Sequence, residues 1–370
     1  MTLDVGHLLP SAEPVVLIDV DGRAVPERVA DLPPSDVLLD AYGALITGRR
    51  LNDQCYALVR QGRLAVYPSS HGQEACQVAA ARVLDEGDWL FPTYRDVVAM
   101  VTRGVDPVEA LTLLKGDWHS GYDPTELHVA PQATPLATQL PHAVGVAHAA
   151  TLKGEPTVVM ALCGDGATSE GDFHEALNFA AVFHAPVVFF IQNNEYAISV
   201  PLDKQSAAPS LAHKGVGYGV PAERVDGNDL AALLWVLGAA VARARAGEGP
   251  QLVEAHTYRM LAHTNADDAS RYRNDEDVAA WTARDPLARL DTYLRADGAL
   301  TDGVASQLAA EAERVAQHTR DGLNVDVPPN HADLFRHVYA EPTPQLLEQQ
   351  ELVADELARE LTAADGNGSV

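Results

Sequence analysis

The sequence predicts an α/β protein built on a mostly parallel sheet flanked by helices. Short apolar, β-branched runs at Thr157–Leu162, Pro186–Ile191 and Gln251–Glu254 alternate with helical patterns. Between the first two runs, Asp172 to His184 places Phe173, Ala176, Leu177, Ala180 and Ala181 on one helical face. Strand, helix and strand make one βαβ unit, so the two strands run parallel.

Residues 1–35 carry Pro10, Pro14, Pro26, Pro33 and Pro34 with little periodicity, which predicts an extended arm available to lie on a partner subunit. The α/β domain spans residues 36–285. From 286 to 370 the sequence turns rich in Ala, Glu, Leu and Arg, which predicts a helical extension ending in a frayed tail from Ala363.

The chain has 370 residues, 47% of them hydrophobic, enough to bury a large core. Its apolar runs, such as Val158–Cys163 and Ala185–Ile191, fall far short of the roughly 20 residues a membrane helix needs. The first 19 residues lack the pattern of an export signal, so a cytoplasmic location is expected. Three cysteines, Cys55, Cys76 and Cys163, without CxxC spacing argue against disulfides and a zinc site. The net charge of −26 disfavours nucleic acid and anionic membranes as partners.

One stretch carries chemistry. Gly164-Asp165-Gly166 closes the first strand and Asn193-Asn194 the second, with Asp165 and Asn194 separated by 29 positions, the length one crossover consumes. Paired parallel strands lie about 5 Å apart, so both side chains reach one ion. A carboxylate and a carboxamide are hard ligands too few for an octahedral shell, which suits Mg²⁺ completed by water and phosphate oxygens. Gly164 and Gly166 leave room for phosphates, and the following helix offers its positive end. A lone GDG is most often a turn; strand, GDG, helix, strand and NN in this order favour a diphosphate site.

This is the thiamine diphosphate motif, and the sequence from about Asp36 to Arg359 resembles the α subunit of the E1 component of 2-oxo acid dehydrogenase complexes, pyruvate or branched-chain type. Further matching stretches are Gly72-Gln-Glu-Ala75, Phe91-Pro-Thr-Tyr-Arg-Asp96, Pro135-Leu-Ala-Thr-Gln139, Gln192-Asn-Asn-Glu-Tyr-Ala-Ile-Ser199, Val225-Asp-Gly-Asn228 and His263 to Arg273. The resemblance implies cofactor contacts from Tyr94, Arg95, Thr134, Leu136, Gly164, Asp165, Gly166, Ala167, Gln192 and Asn194. It adds the carbonyl of Tyr196 to the metal ligands and implies that His263, as a catalytic residue, meets the cofactor phosphates near the entrance. Ala133, Thr138 and Gln139 match a potassium site of some relatives, although helix capping explains Thr138-Gln139 equally well.

The loop after His263, with Asp267-Asp268 and Arg271-Tyr272-Arg273, reads as internally salt-bridged and ordered by cofactor. Thr264 stands where mitochondrial relatives carry a regulatory serine, which argues against kinase control; Ser270 reads as an ordinary loop residue. His119 and His142 are weaker candidates for the substrate channel.

The resemblance also implies decarboxylation of a 2-oxo acid, with the acyl group passed to a lipoyl-bearing E2 partner. The glutamate that activates the cofactor has no assignable position here, so an α₂β₂ assembly is implied in which the E1 β subunit supplies it. Leu136 and Val66 are expected at the substrate pocket; Val66 stands where many relatives carry phenylalanine, which favours branched-chain acids. Pyruvate-type and acetoin-cleaving enzymes are alternatives, and a noncatalytic metal- or nucleotide-binding subunit is a remote one.

Overall fold

A computed structural model describes residues 5–116, 120–325 and 330–366. The strands are β1 (Trp89–Phe91), β2 (Val159–Gly164), β3 (Val187–Asn193), β4 (Tyr196–Ala197), β5 (Val200–Pro201), β6 (Ala222–Asp226) and β7 (Gln251–His256). Helices α1 (Ser35–Arg60), α2 (Glu74–Arg82), α3 (Val97–Thr102), α4 (Pro107–Lys115) and α5 (Pro124–Leu127) precede and follow β1 in the chain. They are followed by α6 (Gln139–Lys153), α7 (Gly171–Phe183) and α8 (Leu230–Arg245). The remainder is helical: α9 (Asp275–Thr282), α10 (Pro286–Asp297), α11 (Asp302–Leu323), α12 (Asp333–Arg336) and α13 (Pro344–Gly366).

Five strands form one parallel sheet in the order β1-β2-β3-β7-β6, and β4 and β5 make a separate antiparallel hairpin. Side chains on a strand alternate between faces. On β3, Val187, Phe189 and Ile191 therefore join α6 and α7 in one core, while Val188 and Phe190 join α1, α2, α3 and α8 in the other. Burial on both faces is why β2 and β3 read as continuous apolar runs. Phe190 is fully buried, so Phe190→Ala is expected to lower the free energy of unfolding by about 3–5 kcal/mol, read by denaturant titration.

The sheet has two strands that periodicity did not reveal. β1 has three residues, and β6, at the sheet edge, buries only Val225 fully, so neither shows an apolar run. All three cysteines are free and buried.

The N-terminal arm is a correction. It docks on this chain's own sheet: Val15 bridges Val225 of β6, and Leu17 and Ile18 are buried. Asp229 caps α8 through the amides of Ala231 and Ala232, and its other oxygen accepts from the amides of Leu17 and Ile18 at 2.7 and 2.8 Å. Arg289 closes the junction, with Nη1 on Asp226 (2.8 Å) and Nε on the carbonyl of Ile18 (2.9 Å).

The stretch from 286 is helical as expected, but α10 and α11 pack on α1 within the first compact unit, so the division falls after Leu323 rather than at 285. The second unit holds α12 and α13, and α13 continues to Gly366 where a frayed tail was expected from Ala363.

Candidate active site

Gly164, the last residue of β2, pairs with Gln192 on β3, and Asp165 and Asn194 leave the sheet together at its carboxyl edge. This is where open α/β sheets place ligands. Asp165 and Asn194 are buried, 1% and 5% exposed. Glu195 and Ile198 adopt left-handed φ of +70° and +58°, which folds the chain into the β4–β5 hairpin. The hairpin brings the Tyr196 carbonyl back over the strand ends.

Three oxygens then face one another. Asn194 Oδ1 lies 3.3 Å from Asp165 Oδ1 and 3.2 Å from the Tyr196 carbonyl, while Asn194 Nδ2 donates to Gln73 Oε1 at 3.0 Å. Swapping the amide's oxygen and nitrogen would give hydrogen bonds to Asp165 and Tyr196 but set oxygen against Gln73 Oε1. The inward oxygen is the better reading, because it accepts the Tyr196 amide at 3.3 Å and lets Nδ2 meet Gln73, and the three oxygens are hard, magnesium-type ligands. Burial pushes the Asp165 carboxyl above the usual range, offset by a hydrogen bond from Gln205 Nε2 to its other oxygen at 2.8 Å. A bound cation would hold Asp165 ionised.

Gly166, which lines the cavity, has a second reason to be glycine. A Cβ there would sit 2.7 Å from the Ala197 Cβ, so glycine lets the hairpin approach; at Gly164 a Cβ would meet nothing, which leaves the cavity open.

Positive charge lines the same cavity. Arg95, 6% exposed, donates from Nη1 to the Ser69 carbonyl (2.9 Å) and from Nη2 to His263 Nδ1 (3.0 Å) and the His263 carbonyl (3.1 Å). A guanidinium has no acceptor, so Nδ1 is unprotonated and the ring carries its proton on Nε2. Tyr94 lies edge-on to His263, with the Arg95 guanidinium against its ring.

Burial, then Arg95 and Arg259, push His263 down to about 4 from 6.5. The unfolded chain therefore takes up this proton first as pH falls. Stability from neutral His263 is complete above pH 6.5 and is lost between 6.5 and about 4. His263→Gln is expected to flatten that part of the stability curve, measured by denaturation across the interval.

The segment 130–139 forms the third wall. Thr93 and Ala133 bridge, and Ala137, buried at φ +64°, turns the chain toward α6. Leu136 lines the cavity but is 41% exposed. Thr138 makes no side-chain cap bond, which removes the capping explanation; Gln139 Nε2 donates to the Leu162 carbonyl (2.6 Å) and its buried Oε1 has no partner. The Ala133 carbonyl already accepts from the Tyr94 amide (3.1 Å).

Gly164, Asp165, Gly166, Ala167, Gln192, Tyr196, Tyr94, Arg95, Leu136 and His263 all line one cavity. Other expectations are corrected. Thr134 is exposed and Val66 is half-buried with its amide on the Leu114 carbonyl (3.3 Å); neither lines the cavity, so Val66 does not widen it. His142 is exposed on α6, and His119 lies outside the described residues. The His263 loop is tied not by Asp–Arg pairs, among the described residues, but by Tyr272 donating to Asp267, Asp267 accepting the His263 amide (2.7 Å), and Arg273 donating to the Arg259 carbonyl (2.7 Å). Ser270 bonds only Asp268, at the surface.

Residues 43–321 match the family model described as dehydrogenase E1 component. The chain belongs to this family. Over 350 residues it is 47% identical to the 3-methyl-2-oxobutanoate dehydrogenase subunit alpha of Mycobacterium tuberculosis (strain ATCC 25618 / H37Rv), covering 94% of this chain and 95% of that one. It is 37% identical over 343 residues to the pyruvate dehydrogenase E1 component subunit alpha of Acholeplasma laidlawii, covering 90% and 97% of the two chains. With the protein of that name from Staphylococcus aureus (strain N315) the identity is 36% over 302 residues, covering 81% and 82%. The expected E1 family and α/β fold are both borne out.

Every cavity-lining residue falls inside the E1 family match. Among the described residues no helix is long and apolar enough to cross a membrane.

Two members of this E1 site were not assigned from sequence. Arg259, 1% exposed, donates to the carbonyls of Tyr196 (3.2 Å) and Ile198, yet its Nε has no partner. Its signal was an arginine shortly past the end of a predicted strand. Gln73 follows Gly72, whose φ of +101° and approach to the Tyr258 carbonyl (2.3 Å from an added Cβ) admit only glycine. A glycine before a helix was the visible signal there.

Proposed function

We propose that this chain is the α subunit of a 2-oxo acid dehydrogenase E1, holding thiamine diphosphate by its diphosphate half through Mg²⁺. The facing of Asp165, Asn194 and Tyr196 oxygens in one cavity with two buried guanidiniums, Arg95 and Arg259, carries the reading: the oxygens suit a cation and the guanidiniums an anion. In this role Asp165, Asn194 and the Tyr196 carbonyl hold the metal, and Arg95, Arg259 and Nε2 of neutral His263 face the phosphates. Thiamine diphosphate, when bound, supplies the electron sink for loss of CO₂. The protein binds and orients it, and Leu136 and Ala197 give the cavity apolar lining.

Asp165 is the only carboxylate among the described residues of the cavity wall, and apolar Leu136 and Ile198 stay exposed at its rim. Both features support a site completed by an E1 β subunit in an α₂β₂ assembly, which brings the activating glutamate. The acyl product then passes to a lipoyl-bearing E2. A K⁺ ion held by Thr138, Gln139 and the Ala133 carbonyl is supported by the unpartnered Gln139 Oε1. A cytoplasmic location is part of this proposal.

The preferred substrates are branched-chain 2-oxo acids, supported by the higher identity to the relative named for 3-methyl-2-oxobutanoate. Comparing kcat/KM for 3-methyl-2-oxobutanoate and pyruvate in the α–β assembly tests this. A clear preference for pyruvate overturns the branched-chain assignment.

A further inference from the structure

Behind the three oxygens runs a line of buried amides that ends on a carboxylate. Asn194 Nδ2 donates to Gln73 Oε1 (3.0 Å), Gln73 Nε2 to Gln192 Oε1 (2.9 Å), and Gln192 Nε2 to Asp96 Oδ1 (2.7 Å). All four side chains are at least nine-tenths buried, Asp96 completely. The other Asp96 oxygen accepts from the Thr93 amide (2.7 Å) and hydroxyl (2.6 Å).

An amide offers a donor on one side and an acceptor on the other, whereas an ionised carboxylate only accepts. An acceptor at the end of the line therefore sets the polarity of every link, and Gln77 Nε2, 3.5 Å from Gln192 Oε1, favours the same sense. We infer that Asp96 is a positioning residue, which acts through Gln192 and Gln73 to hold the Asn194 amide with its oxygen toward the metal and its nitrogen away. The inference rests on the proposed metal reading. Turned over, the Asn194 amide would offer its nitrogen to Asp165 Oδ1 and the Tyr196 carbonyl, at 3.3 and 3.2 Å, and would give up the bond its oxygen accepts from the Tyr196 amide at 3.3 Å. Reversing the line would set Gln192 Oε1 against Asp96, acceptor to acceptor, and this opposes the turn.

Asp96→Asn removes that opposition. The new amide keeps its oxygen on Thr93 and offers nitrogen to Gln192. Gln192 and Gln73 reverse in turn, and Asn194 presents nitrogen to the metal.

The test is Mn²⁺ titration of the α–β assembly at saturating thiamine diphosphate, with free Mn²⁺ read by electron paramagnetic resonance. D96N is expected to weaken Mn²⁺ binding at least about tenfold, as loss of an outer partner of a metal ligand does. Gln73→Met cuts the line, so in that background D96N should cost nothing further. Unchanged affinity in D96N, or an equal loss in both backgrounds, overturns the orienting role and makes Asp96 a general electrostatic or structural residue. Failure of the wild-type assembly to bind Mn²⁺ overturns the metal reading itself. If D96N does not assemble, Gln192→Met breaks the same line without touching a carboxylate; weakened Mn²⁺ binding supports the inference and wild-type affinity overturns it.

Discussion

Asp165→Ala is expected to abolish measurable 2-oxo acid decarboxylation by the α–β assembly and to weaken metal binding more than about 100-fold, since loss of outer partners alone costs 10–100-fold. Asp165 is the only formally charged member of the oxygen trio, so its removal leaves two neutral dipoles to hold a divalent ion. The fold should survive. Burial penalises this carboxylate and Gln205 is its one side-chain partner, so an alanine relieves desolvation while exposing no large apolar surface. Calorimetric titration of Mg²⁺ with thiamine diphosphate, beside a melting curve, separates lost binding from lost structure. Retained metal affinity would remove Asp165 from the ligand set.

Arg95→Ala removes positive charge from the same cavity. Truncating a buried, hydrogen-bonded charge costs about 2–5 kcal/mol, so the affinity for thiamine diphosphate should fall at least about 30-fold. Arg95 also clamps Ser69 to His263, and its loss frees the His263 loop as well as removing charge. Arg95→Lys should recover little, because an ammonium lacks the planar fork that spans Ser69 and His263 together. Titrating thiamine diphosphate at fixed Mg²⁺, followed by tryptophan fluorescence, measures both variants.

What was legible in the sequence was local. Asp165 and Asn194 could be assigned because each sits at the end of an apolar strand, and the intervening length admits one crossover helix. Buried on both faces, β2 and β3 had to be apolar throughout. Edge position hid β6, whose half-exposed residues carry no such run, and brevity hid β1.

The rest of the site depends on distant pairing. Arg259 reaches the Tyr196 carbonyl because β7 lies beside β3, a neighbour relation that skips β6 in chain order. Gln73 meets Asn194 across 121 positions, and Asp96 meets Gln192 across 96. No spacing rule announces contacts of that kind. The arm was misplaced for the same reason, since the Asp229 carboxylate that holds Leu17 lies 212 residues away. Val66 was assigned by alignment to a pattern alone; its backbone pairs with Leu114, and it is not among the residues that line the cavity.

The central claim is that this chain holds half of a divided active site. The most direct measurement is 2-oxo acid decarboxylation with an artificial electron acceptor, Mg²⁺ and thiamine diphosphate, using this chain alone and mixed with its β subunit. Activity in the mixture only is the predicted result. Full activity from this chain alone, or none from an assembled and cofactor-loaded mixture, would contradict it.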